Sequence, residues 1–179
     1  MKPLITIRVP ATSANLGSGF DTIGMAVSLY NIFKVMELRP KGVYEIEAYG
    51  EGSRELSDPK ANLVITAYEE TCKRWNVEGP GFSLWCHNIV PLCRGLGSSA
   101  GAGVAGVLIA KHLTGYEADV DELLRAMTVL EGHPDNVAPC YFGGMVVSCW
   151  DGEELRYVNL PALPPEVLCV VAVPDERVK

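Results

Sequence analysis

Apolar residues recur along this chain with two different periods, and the periods divide it into strands and helices. Alternating or continuous β-branched runs predict strands at LITIRV (4–9), AVSLYNIFKVMEL (26–38), VYEIEAY (43–49), GFSLWCHN (81–88), GMVVSCW (144–150), LRYVNL (155–160) and VLCVVAV (167–173). Helical spacing appears three times. DPKANLVITAYEETCKRWN offers Asp58 as a cap and Pro59 at the first helical position, with Leu63, Ala67, Thr71 and Trp75 on one stripe. SSAGAGVAGVLIAKHLTG runs from paired serines to Lys111 and His112, with Gly115 just past its end. DVDELLRAMTVLEG starts at Asp119 or Asp121 and stops at Gly132. Strands come first and then mix with helices, so the pattern predicts an α+β layered domain rather than a regular βαβ repeat.

Composition narrows the partners. The chain is 48% hydrophobic and 21% charged with a net charge of −7, and it has no basic run that could follow a phosphate backbone or an anionic membrane. No nucleic-acid or membrane partner is expected. The N-terminal apolar run is too short for a signal-peptide core, and no apolar stretch approaches the roughly 18 residues needed to span a bilayer. Six cysteines without a C-x-x-C pair read as reduced thiols of a cytoplasmic protein. Three histidines without ligand spacing argue against a structural zinc.

Candidate chemistry sits in three stretches. PLCRGLGSSAGAGVAG (91–106) lacks the lysine of a Walker A loop. It fits a dinucleotide fingerprint at Gly95, Gly97 and Ala100, yet a turn and a second helix follow where that fold needs a strand. What remains is a flexible loop that brings backbone N–H groups and a helix N-terminus to an anion, with Ser98 and Ser99 adding hydroxyls, or else a buried helix with a serine cap. VLEGHPDNVAP (129–139) puts Glu131 in the last turn of a helix, where the dipole disfavours an anion. A divalent cation shared with a phosphate would compensate. His133, Asp135 and Asn136 crowd behind it around Pro134. VPATSANLGSGFDTIG (9–24) reads as a long polar loop after the first strand.

Taken in this order, the three stretches closely resemble the GHMP small-molecule kinases, and within that superfamily the homoserine kinases. Residues 91–100 match the superfamily phosphate loop P-x-x-x-G-L-G-S-S-A at every fixed position, and PATSANLGSGFDTIG and EGHPDNVAP are similar to its first and third motifs. The resemblance implies a two-layer domain of ribosomal-protein-like β-α-β fold, a mixed sheet with helices packed on one face, over residues 1–179. It implies ATP and Mg2+ as cofactors and homoserine as substrate. Pro91, Leu92, Cys93, Arg94, Gly95, Leu96, Gly97, Ser98, Ser99, Ala100 and Gly101 would wrap the ATP phosphates. Ser99 and Glu131 would hold the magnesium, and ANLV (61–64) would place Asn62 at the adenine. Asn15, Asp21, His133 and Asp135 match positions around homoserine, with Asp21 suited to its ammonium group.

Other superfamily members carry a catalytic aspartate and a lysine where Asn136 and Ser13 stand in this chain. An asparagine cannot take a proton, so the implied catalytic set of Asn136, Ser99 and Glu131 transfers phosphate in line by positioning and charge stabilisation. Family members also carry a C-terminal α+β domain and, just past VPDERVK, a threonine and an arginine facing the substrate. Their absence from this sequence implies an N-terminal domain or a truncation, weak or no turnover on its own and an apolar face open to self-association, a homodimer included. Two other readings stand beside this one: a GHMP kinase for a polyol, sugar or isoprenoid alcohol, and a nucleotide-binding module without turnover.

Overall fold

The computed structural model describes residues 2–164 and 166–173. Its elements are β1 (Ile5–Ala14), β2 (Ile23–Arg39), β3 (Tyr44–Gly50), α1 (Ser53–Leu56), α2 (Leu63–Arg74), β4 (Gly81–Asn88), α3 (Ser98–Thr114), α4 (Val120–Glu131), α5 (Pro134–Phe142), β5 (Met145–Trp150) and β6 (Leu155–Asn159). The strands form one mixed sheet in the order β3-β4-β2-β5-β6, with β1 also paired to β2. Among the described strands only β3 and β4 pair in parallel, because the α1–α2 segment carries the chain from one to the other. The expected α+β architecture is the one observed.

Strand alternation decides which face is covered. Ile7, Val9, Phe33, Val35, Phe82, Leu84 and Cys86 are buried beneath the helices in one continuous core. Their neighbours on the other face include Trp85, which carries Lys34 Nζ 4.4 Å above its ring and leaves that side of the sheet half open. Tyr68 of α2 packs edge-on to Phe82 at 5.0 Å and donates its hydroxyl to the Pro80 carbonyl at 2.7 Å, so a large buried side chain leaves no polar atom stranded. Full burial of a residue such as Phe82 or Leu84 contributes about 1.5–3 kcal/mol.

Helix α3 passes through the middle of this core, and its small residues make that possible. A methyl group on Gly106 would lie 2.5 Å from the Val64 carbonyl oxygen and 2.6 Å from the Ala67 side chain. Glycine there sets how closely α2 and α3 approach.

Several boundaries differ from those the sequence predicts. Strand β1 continues to Ala14, so the loop to β2 spans only residues 15–22; a register shift between Pro10 and Ala11 lets the ladder pass the proline, which has no N–H to donate. Helix α2 begins at Leu63, not near Pro59. Asp58 instead closes a turn by accepting from Lys60 N–H at 3.0 Å, and Asn62 caps the helix. Leu63 is exposed, and Val64, Ile65 and Tyr68 join Ala67 and Thr71 on the buried stripe. Helix α3 starts behind Gly97 in a left-handed conformation, with no serine cap. Asp119, of the two candidate starts for α4, is the cap. Helices α1 and α5 were not anticipated. Residues 167–173 form no strand among the described residues: the segment follows Pro161 and Pro164, has no ladder partner, and exposes Leu168 to 83% and Val170 to 92%.

The α2–α3 contact yields a stability prediction. Gly106→Ala should raise intrinsic helix propensity yet destabilise the protein by about 1–3 kcal/mol through overpacking, measured by urea unfolding. An unchanged or raised midpoint would show that the helices are free to separate.

Candidate active site

The glycine-rich loop leaves the sheet where β4 ends, and a buried amide fixes its first residues. Asn31 of β2 is 1% exposed, and its side-chain oxygen accepts from the backbone N–H groups of Ile89 at 2.8 Å and Val90 at 3.0 Å. Val90 and Leu96 then anchor the loop on Ala11 in a small apolar cluster. Between these anchors Cys93, Gly95 and Gly97 all adopt positive φ, at 55°, 70° and 64°. A non-glycine residue at such an angle costs about 1–2 kcal/mol, which the anchored ends offset at Cys93.

Gly97 holds the most constrained position of the loop. A methyl group there would collide with the Thr12 hydroxyl and lie 3.1 Å from Asn136 Oδ1. Immediately after it the chain enters α3, whose N-terminus has no side-chain cap, so the first amides face outward as donors at the positive end of the helix dipole. Ser98 and Ser99 stand on that turn, Ala100 and Gly101 are buried behind it, and exposed Cys93 and Gly95 form the loop's outer edge.

Ser99 donates from Oγ to Glu131 Oε2 at 2.9 Å, although 32 positions separate them. Glu131 is the last residue of α4, and Gly132 turns the chain there at φ 98°. Burial pushes the Glu131 carboxyl above its usual range and Asp135 adds to the rise, while the Ser99 hydroxyl and His133 oppose it. The pair therefore holds a partly desolvated carboxylate that a cation would favour. Among the described residues no three His, Cys, Asp or Glu side chains converge on one point. One carboxylate and one hydroxyl suit a magnesium ion that keeps water and phosphate oxygens as its other ligands.

Helix α5 begins one residue past His133, with Pro134 in its first turn. Asp135 is fully buried there; its Oδ1 meets His133 Nδ1 and accepts from the Asn136 N–H at 3.0 Å. Among the described residues, the other oxygen of Asp135 has no hydrogen-bond partner. Asn136 receives the Thr12 hydroxyl on Oδ1 at 2.8 Å, and Thr12 N–H donates to the Leu96 carbonyl at 3.0 Å. The hydroxyl beside Asn136 is thus that of Thr12, whereas Ser13 had been expected there. Ser13 is the next residue along β1 and is less buried than Thr12.

Asn15 and Asp21 face each other across their own loop. Both have positive φ, both are exposed, and Asn15 Oδ1 accepts from Asp21 N–H at 2.8 Å. Asn62 is committed at both ends of its amide, accepting from Val64 N–H at 3.0 Å and donating to the Leu56 carbonyl at 2.7 Å. It still lines a cleft of about 320 Å³ that also takes in Phe33, Leu56, Val64, Leu92, Cys93 and Ser99. The structure thus joins Asn62 to the glycine-rich loop, Ser99 to Glu131, His133 to Asp135 and, through Thr12, Asn136 to Gly97. Thr12 and Asn31 are the residues that sequence reasoning missed. Each is a polar side chain at an inward strand position, a signal readable only once the strand limits are right.

Residues 62–144 match the GHMP kinases N terminal domain family. Over this segment the chain is similar to the GHMP kinases. A curated homoserine kinase of Carboxydothermus hydrogenoformans is 46% identical over 176 residues, covering 98% of this chain and 57% of the relative. The crystal structure of a homoserine kinase from Cytophaga hutchinsonii superposes with a TM-score of 0.71 at 31% identity, over 90% of this chain and 54% of that one. A Methanococcus jannaschii mevalonate kinase shares the fold, with a TM-score of 0.64 at 17% identity over 88% and 56% of the two chains. The chain therefore spans little more than half the length of the relatives it matches.

The raised Glu131 carboxyl makes a pH prediction. A carboxyl whose folded pKa lies above its unfolded value favours the folded state while protonated and loses that contribution as pH rises through the folded value. Without metal, Glu131→Gln should melt higher than the wild type at pH 7, and the difference should fade as pH falls through the carboxylate range. A variant that melts lower at pH 7 would mean that the charge is well solvated or already paired.

Proposed function

We propose that this protein phosphorylates the side-chain hydroxyl of L-homoserine with ATP, residues 1–179 supplying the nucleotide-binding domain and much of the substrate site. The observation that carries this reading is the Ser99–Glu131 pair, 2.9 Å apart at the mouth of the glycine-rich loop. It puts a hydroxyl and a carboxylate beside the uncapped N-terminus of α3, a set of groups suited to a metal-bound polyphosphate. The substrate comes from the relatives, which are homoserine kinases along almost the whole of this chain.

In this reading the amides at Gly95, Gly97, Ser98 and Ser99 take the phosphates, and the cleft walls of Phe33, Leu56 and Val64 take the adenine face beside Asn62. Ser99 and Glu131 would hold Mg2+, which when bound neutralises phosphate charge. Asp21 would accept the homoserine ammonium, with Asn15, His133 and Asp135 around the rest of the molecule. The substrate oxygen forms a bond to the γ-phosphorus as the bond to the β–γ bridging oxygen breaks, and ADP departs. Asn136 cannot accept the hydroxyl proton, which passes to a phosphoryl oxygen. Catalysis then rests on alignment and on hydrogen-bond donors aimed at the transferred group.

Calorimetric titration tests the nucleotide half of the proposal. Magnesium should tighten ATP binding, and Glu131→Gln should weaken Mg·ATP about tenfold or more while leaving metal-free ATP nearly unaffected. Equal binding with and without metal, unchanged in the variant, would remove the cation from this site. For the substrate, phosphate transfer to L-homoserine should exceed transfer to mevalonate or galactose, and the reverse order would overturn the assignment.

A further inference from the structure

The Thr12–Asn136 contact has a directional consequence. A side-chain amide has one accepting end and one donating end, and its chemistry depends on which of them faces the reactants. Thr12 is fully buried, and its hydroxyl donates to Asn136 Oδ1 at 2.8 Å. That hydroxyl has little freedom to turn elsewhere. Gly97 packs so closely against it that a methyl group on the glycine would occupy the same space, and the same methyl group would come within 3.1 Å of Asn136 Oδ1. The Thr12 backbone is held as well, since its N–H is bonded to the Leu96 carbonyl at 3.0 Å. On the other partner, the Asn136 backbone N–H is taken by Asp135 Oδ1 at 3.0 Å, which fixes the base of the side chain at the start of α5.

From this arrangement we infer that Thr12 is a positioning residue that locks the Asn136 amide with its oxygen turned inward and its NH2 group turned toward the transferring phosphate. The inference rests on the kinase reading for the identity of the reactants, and on the Thr12 hydroxyl acting as the donor to Asn136 Oδ1 for the orientation. Asn136 then acts only as a donor. It can stabilise negative charge on the phosphoryl group or on the attacking oxygen, while its acceptor is turned to Thr12, away from the reactants. The loop glycine, the strand threonine and the helix asparagine form one unit, in which Gly97 makes room for the hydroxyl that sets the amide. Asn136→Asp would keep the bond from Thr12 and replace the donor with a charge facing the phosphates.

Nuclear Overhauser contacts in the wild-type chain test the orientation directly. The Asn136 NH2 protons should show no strong contact to the Thr12 β-proton or methyl group, and their resonances should shift when Mg·ATP is added. A strong contact between that NH2 group and Thr12 would place nitrogen at the hydroxyl and overturn the inference, whether or not any variant folds. Thr12→Val keeps the shape and removes the donor. It should lower kcat for transfer to homoserine at least tenfold, with KM for ATP within about twofold, since lost donor alignment is felt in the transition state. Thr12→Ser should restore most of the rate. Valine and serine variants with equal, near-wild-type kcat would also overturn the inference. A wild type that neither binds Mg·ATP nor transfers phosphate would instead count against the kinase reading, with the amide orientation still decided by the contacts.

Discussion

The two hydrogen bonds made by Thr12, from its backbone N–H to the Leu96 carbonyl and from its hydroxyl to Asn136, form the joint through which β1, the glycine-rich loop and α5 keep their relative positions. These three elements come from distant parts of the chain, and each alone could settle elsewhere. The loop is short of regular structure and contains three residues at positive φ, a combination that conformational entropy opposes. Asn31 holds its entrance and Thr12 its exit, so the residues between them keep an unfavourable backbone with their amides turned outward. The reactive surface is therefore a consequence of how the ends are tied.

Charge is organised around the same joint. The N-termini of α3 and α5 bring two positive dipole ends toward the loop, both with N-cap residues that make no side-chain cap, and α5 carries Asp135 in its own first turn. Glu131 ends α4, where its own helix gives it no support, and burial raises its carboxyl further. Only the Ser99 hydroxyl and the His133 ring offset this. In the proposed reading, a protein of net charge −7 would bind anions through backbone dipoles and metal ligands, without a basic patch. The lysine missing from the loop is consistent with that design, since a phosphate can be met by N–H groups at a helix start.

Much of this was readable in the sequence. Alternation located six strands, and the glycine and serine spacing located the start of α3 because both depend on short-range periodicity and backbone freedom. The Ser99–Glu131 pairing was legible through the family resemblance and through the misplaced charge at a helix end. Helix α5 was not, since Pro134 and Pro139 break the pattern that local propensity would show and packing against β1, β2 and β5 sustains it. The cap of α2 was misjudged because Asp58-Pro59 and Asn62 are equally good local signals, and the choice between them falls to the turn that Asp58 makes. Thr12 lay hidden because β1 continues through a proline, which no local rule favours. The apolar run 167–173 shows the opposite failure, a strand pattern without a ladder to join.

Backbone amide shifts in a 15N correlation spectrum, followed while Mg·ATP is added to the 179-residue chain, test the central claim most directly. If the tied loop and the start of α3 form the phosphate cradle, the amides of Gly95, Gly97, Ser98 and Ser99 should move most, and the far ends of β3 and β6 should stay in place. Saturable binding that leaves those four amides unmoved while shifting residues elsewhere would contradict the account.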